Sequence, residues 1–154
     1  MNKYPMLFRT HYTETGGSRI NSNEKGILEK GMTNAFKLIV LYSSDDDFCL
    51  SFTMLFQDRY RIVTVSNLDM LNLVVEESAP DLVIADAVPN ERVGSRFDAI
   101  KRLHPTLPII LFYVSRLEPS VLKEGLMNYV DAMFSKPIDL LQVTRSINEL
   151  VSRN

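Results

Sequence analysis

The chain has one cysteine, no tryptophan and two histidines among 154 residues, and each scarcity closes off a class of function. A single thiol, Cys49, cannot form an internal disulfide and agrees with a reducing compartment. With only His11 and His104, a histidine-built metal centre or a catalytic triad is not expected. No apolar run approaches the roughly 18 residues of a membrane-spanning helix. The N-terminus, Met1 to Arg9, lacks the continuous apolar core of a signal peptide. An excess of one charge is missing too, since 17 Lys and Arg face 19 Asp and Glu, for a formal net charge of -2. That balance provides no bulk attraction to nucleic acid or to an anionic membrane. The expectation is a cytoplasmic protein that binds neither.

What is present is the composition of a globular domain, 45% apolar and 23% charged. The composition changes near residue 35. Residues 1–34 hold Gly16, Gly17, Gly26 and Gly31 among many Ser, Thr and Asn, and read as a loosely structured extension. Within it, Asn23 to Lys30 has a short helical pattern with only Ile27 and Leu28 to bury. Residues 35–154 form the domain.

Periodicity in that domain alternates between strand-length apolar runs and helical spacing. Lys37 to Tyr42 is a first strand, followed by a helix start at Ser44 or a following aspartate. Phe48, Phe52, Leu55 and Phe56 recur at helical spacing, with Cys49 on the same apolar side. Arg61 to Val65 is a second strand, and Ser66 or Asn67 caps a helix that turns Met70, Leu71, Val74 and Val75 inward. A third strand ends at Asp86, and its helix carries Phe97, Ile100 and Leu103. Ile109 to Val114 is a fourth strand, followed by Pro119, Val121, Leu122 and Leu126 in a helix. A fifth strand, Asp131 to Phe134, leads to Lys136-Pro137 and a last helix with Leu140, Val143, Ile147, Leu150 and Val151. Five strand–helix units with helical crossovers predict a parallel five-stranded sheet between two helical layers. The fold class is α/β, a flavodoxin-like doubly wound (βα)5 sandwich of strand order 2-1-3-4-5. Its ligand crevice lies at the carboxyl ends of strands 1 and 3. Those ends are Tyr42-Ser43 and Asp86.

Asp86 at the tip of a buried strand, with Lys136 at the tip of a later one, is the most informative pair. The segments Pro80 to Asp86, Leu107 to Ile110 and Phe134-Ser135-Lys136-Pro137, in this order and spacing, resemble the receiver domains of bacterial response regulators over residues 36–152. The resemblance implies that Asp86 is the phosphoacceptor position, phosphorylated by a partner kinase, and that Lys136 pairs with the phosphoryl oxygens. It implies a magnesium ion held by two acidic residues after strand 1, but those positions are Tyr42 and Ser43 here. The switch hydroxyl position is Tyr113, followed by Val114, and the switch aromatic position is Met133. The loop Ala87-Val88-Pro89 is one residue shorter than is usual before its proline. The pattern is that of a degenerate member, a pseudo-receiver. The Lys136-Pro137 bond is expected cis, as in the family, and Asp86 is expected to pair with Lys136.

Asp45-Asp46-Asp47 leaves an alternative open. Asp45 or Asp46 could turn toward Asp86 and rebuild a cation site, or the acids could cap the first helix and favour its positive end. For the other candidates the plain structural readings are preferred. Tyr113 fills space over the site with its hydroxyl toward solvent or Asp86, Asp131 is a strand-edge residue, and His104 is a surface residue at a helix end. Arg92, Arg96, Lys101 and Arg102 are a solvated helix face. The function implied first is a stand-alone atypical receiver in two-component or phosphorelay signalling, not an enzyme and without a cofactor, acting through protein contacts independently of phosphorylation. No effector domain is expected after the last helix. The protein partner is a sensor kinase or a downstream regulator. The resemblance places partner binding, and a homodimer, on the face of the fourth helix, fifth strand and fifth helix, with Val121, Met127, Tyr129 and Leu141 as apolar contacts. The first alternative is a magnesium-dependent phosphoacceptor using Asp45, Asp46 and Asp86. A flavodoxin-like small-molecule binder ranks third, since Tyr42-Ser43-Ser44-Asp45 lacks a glycine-rich phosphate cradle.

Overall fold

Five apolar runs become five parallel strands in the computed structural model, which describes residues 36–115 and 124–153. They are β1 (Leu38–Ser43), β2 (Arg61–Val65), β3 (Leu82–Asp86), β4 (Ile109–Tyr113) and β5 (Ala132–Ser135). The sheet order is β2-β1-β3-β4-β5 and every neighbouring pair is parallel, as the sequence predicts. The helices are α1 (Asp46–Phe56), α2 (Leu71–Ser78, entered through a 3-10 turn at Leu68–Met70), α3 (Glu91–Leu103) and α5 (Leu140–Val151). A helical turn at 124–126 is labelled α4. The predicted extension, and Pro119, Val121 and Leu122 of the predicted fourth helix, lie outside the described residues.

Alternation along the strands divides the core into two layers. Ile39, Leu41, Leu82, Ile84, Ile110 and Phe112 face α1 and α5, where they meet Phe52, Phe56, Val143 and Ile147. Val40, Val83, Ala85 and Leu111 face α2 and α3, where they meet Leu71, Val74, Val93 and Phe97. Each such large side chain contributes about 1.5–3 kcal/mol by leaving water. Four residues predicted to point inward do not. Leu55 and Leu103 are exposed because the buried stripes centre on Cys49, Phe52 and Phe56 in α1 and on Val93, Phe97 and Ile100 in α3. At about 3.6 residues per turn, both leucines fall roughly a quarter turn from those centres. Met70 belongs to the tighter 3-10 turn, which breaks the helical phase. Leu140 is in phase, but it opens α5 and is half exposed.

Two aspartates fix the amino ends of the strands in the same way. Asp81, just before β3, accepts from Leu38 N–H (2.8 Å), and its own N–H donates to the Leu38 carbonyl (2.8 Å). Asp131, just before β5, accepts from Ile109 N–H (2.9 Å), and its own N–H donates to the Ile109 carbonyl (2.8 Å). Each also pairs with a lysine, Lys37 and Lys101 respectively, at 3.1 Å. Asp131 is therefore a clamp on β4, a larger role than that of an edge residue. α2 ends on Ala79 in the left-handed region (φ 46°), which costs a side chain strain that glycine would avoid. Pro80 then prevents the helix from continuing.

Candidate functional site

The register Ser43↔Asp86 places the last residues of β1 and β3 side by side at the carboxyl edge of the sheet. Alternation turns both side chains toward the α1/α5 layer, since Leu41 and Ile84, two residues back, lie in that layer. The Ser43 hydroxyl donates to Asp86 Oδ2 at 2.7 Å. Lys136, one residue past β5, brings its Nζ to 2.6 Å from Asp86 Oδ1. Both carboxylate oxygens are thus engaged by donors, one of them charged, in a half-buried setting where such bonds are strong. Lys136 is held from two further sides. Its N–H donates to the Tyr113 carbonyl at 2.7 Å, and its ammonium lies 4.2 Å from the centroid of the Phe48 ring. The peptide bond to Pro137 is cis, as expected.

Asp45 takes the capping role. Its Oδ1 accepts from Phe48 N–H at 3.0 Å, and its own N–H donates to Ser43 Oγ at 3.0 Å. Asp46 and Asp47 follow in the exposed first turn of α1, where the helix dipole favours acids. These residues do not fit a magnesium ion. Beside Asp86 stand a neutral hydroxyl and an ammonium, where magnesium requires several oxygen ligands. Among the described residues, no three His, Cys, Asp or Glu side chains converge on a common point suited to a metal.

The fold has structural counterparts among solved proteins. A signal receiver domain of an HD domain-containing protein from Pseudomonas fluorescens Pf-5 superimposes with a TM-score of 0.68 at 16% identity, covering 77% of this chain and 97% of that one. The N-terminal signal receiver domain of a two-component response regulator from Bacteroides fragilis gives 0.66 at 18% identity, covering 76% and 98%. The chain has the receiver fold. A protein described as a pilus assembly protein from Burkholderia thailandensis has it too, with a TM-score of 0.63 at 19% identity over 76% and 99%. No protein-family model and no curated protein matches the sequence. Identities this low carry the fold and leave the chemistry to the residues themselves.

Within the receiver fold, the other sequence candidates distribute as follows. Tyr42 faces the α2/α3 layer, away from Asp86. Tyr113 and Met133 pack in that same layer, and the Tyr113 ring is a buried core element. The residue that shares the layer of Asp86 is Phe112, in tilted contact with Phe134 (6.1 Å between centroids) and edge-to-face with Phe48 (6.0 Å). Sequence reasoning gave Phe48, Phe112 and Phe134 no place at the site. The signal was the strand alternation, which puts positions 112 and 134 in phase with 86. Cys49 is buried beneath, its thiol 3.8 Å from the Ser43 carbonyl, and burial, with the nearby Asp46, Asp86 and Asp45 charges, pushes it above the ordinary thiol range. It is an inert packing residue, not a nucleophile.

The basic residues of α3 are individually partnered. Arg92 and Arg96 both hold Asp69, each at 2.6 Å, and their hydrogen bonds keep its carboxyl below the usual range. Arg102 pairs with Asp98 at 2.6 Å, and Lys101 donates to the Leu107 carbonyl and to Asp131. His104 caps the end of α3 and is half-buried, and its Nε2 lacks a partner. Of the apolar contacts expected on a partner face, Met127 and Leu141 are 59% and 70% exposed, while Tyr129 packs against the core and Val121 lies outside the described residues. No helix among the described residues is long and apolar enough to cross a membrane.

Proposed function

We propose that this protein is an interaction module of bacterial two-component-type signalling, working in the cytoplasm, whose receiver site is a fixed structural element and no longer a phosphoryl switch. One observation carries this reading: both oxygens of Asp86 are already taken, by the Ser43 hydroxyl and the Lys136 ammonium. Ser43 stands where receivers carry a cation-binding carboxylate, so the charge of an incoming phosphoryl group meets one ammonium and no divalent ion. The alternative, a phosphoacceptor using Asp45 and Asp46, would require Asp45 to give up the α1 cap, at a cost of about 1 kcal/mol. Incubation with magnesium and acetyl phosphate is expected to leave the intact mass of the protein unchanged. Stoichiometric addition that disappears in Asp86→Asn would overturn the reading.

Output then rests on a surface that is present at all times. The fifth strand and flanking helices offer Met127 and Leu141 as exposed apolar contacts for a regulator, a kinase or a second copy of the chain. Leu141→Asp is expected to weaken self-association or partner capture at least about tenfold, the effect of removing a buried interface anchor. Light scattering and analytical ultracentrifugation measure this directly. An unchanged association constant in both Leu141→Asp and Met127→Asp removes this face from consideration.

A further inference from the structure

The carboxyl edge of the sheet has a second side. Behind the Asp86 network, on the α2/α3 side of β1 and β3, lies an open groove of about 340 Å³ lined by Tyr42, Ser66, Asn67, Val88, Arg92 and Val93, among others. Its chemistry is one-sided. Arg92 is its only charged lining residue, and no carboxylate lines it. Asn90 is committed, with Oδ1 accepting from Val93 N–H and Nδ2 donating to the Val88 carbonyl. Asn67 uses its carbonyl oxygen on Asp69 N–H, which leaves its amide N–H2 as a donor. The Arg92 guanidinium spends one nitrogen on Asp69, and Arg96 shares that carboxylate, so Asp69 orients the guanidinium without neutralising both charges. The groove thus offers donors from Arg92, Asn67, Ser66 and Tyr42 beside an apolar wall of Ala87 and Val88.

A donor-rich, acceptor-poor groove with one arginine and an apolar wall suits an oxyanion attached to a flat body. Inorganic phosphate alone would leave most of the volume unfilled, whereas a mononucleotide is of the right order of size. We infer that this groove binds a nucleotide-sized organic phosphate, its phosphate on Arg92 and Asn67 and its ring against Ala87 and Val88. The inference does not depend on whether Asp86 accepts a phosphoryl group. Because Ala87 and Val88 directly follow Asp86, an occupant would press on the loop that leaves the Asp86–Lys136 pair.

The experiment is an amide-resolved NMR titration of the full-length 15N-labelled chain with AMP and GMP up to millimolar concentration. Adenosine and inorganic phosphate serve as separate probes. Shifts confined to residues 66–68, 87–88 and 92–93, saturable with a nucleotide and at least about fivefold weaker with either fragment, are the expected result. Arg92→Gln should lose roughly tenfold in affinity. Arg96→Gln loosens the same Asp69 brace from outside the groove and should stay within about twofold of wild type. The inference is overturned by the absence of saturable shifts with either nucleotide. It is equally overturned by phosphate binding as tightly as AMP, by unchanged affinity in Arg92→Gln, or by an equal loss in Arg96→Gln.

Discussion

Ser43→Asp is expected to make the stability of this protein depend on magnesium. Ser43 is fully buried, and its hydroxyl oxygen lies 2.7 Å from Asp86 Oδ2. A carboxylate at that position brings two negative charges together with a single ammonium, Lys136, to offset them. Like charges this close resist joint ionisation, and an uncompensated buried charge costs several kcal/mol. Without a divalent cation the variant should lose about 3 kcal/mol, roughly 10 °C in midpoint for a domain of this size. Asp45 N–H keeps an acceptor, because the new carboxylate can replace the hydroxyl oxygen that it uses now. Added magnesium would find two adjacent carboxylates, and at about 100 times its dissociation constant should return roughly 2.7 kcal/mol. Wild type should show no such dependence, because its second oxygen is a neutral hydroxyl. Thermal unfolding with EDTA, magnesium and calcium decides the matter. A Ser43→Asp midpoint that ignores magnesium, or a wild-type midpoint that rises equally, defeats the argument that one residue separates this site from a cation site.

The strand order and the two core layers were legible because parallel strands buried on both faces read as unbroken apolar runs, and Lys37 to Tyr42 and Ile109 to Val114 do so plainly. Helix orientation was less legible. A pattern of Phe48, Cys49, Phe52, Leu55 and Phe56 covers a wide arc of the helix, and only packing against Phe112 leaves Leu55 as the member outside. At the site, the ion pair and the cis bond followed from the family resemblance that Asp86 and Lys136-Pro137 carry. Ser43 was noticed as a missing carboxylate. That its hydroxyl donates to the partner it would otherwise have helped to bind a cation needed the strand register. Phe48 was assigned to the core, yet its ring also supports the Lys136 ammonium, a contact that joins residues 88 positions apart and leaves no local mark. The Asp81 and Asp131 clamps were hidden for the same reason. An aspartate before a strand reads as turn chemistry, and its second role depends on which strand lies alongside.

Lys136→Met should cost about as much as Ser43→Asp does without magnesium, and for the opposite reason. Methionine keeps the unbranched stem and removes the charge. Asp86, with 12% of its side chain exposed, then retains only the Ser43 hydroxyl. Breaking one side of a buried pair typically costs about 3–5 kcal/mol, and the cation–π contact with Phe48 adds about 0.5–1. With Lys136 itself 25% exposed, some water reaches the pair, so the lower end, about 3 kcal/mol, is expected. The signature lies in one further measurement. Replacing both partners, Asp86→Leu with Lys136→Met, removes the desolvated charge altogether and should leave a protein more stable than Lys136→Met alone. Denaturant unfolding of the four members of this cycle gives the coupling energy. If the double variant shows the simple sum of the single losses, the pair contributes nothing as a unit. A strong coupling, together with unchanged self-association in the double variant, is what a receiver site kept as an architectural joint requires.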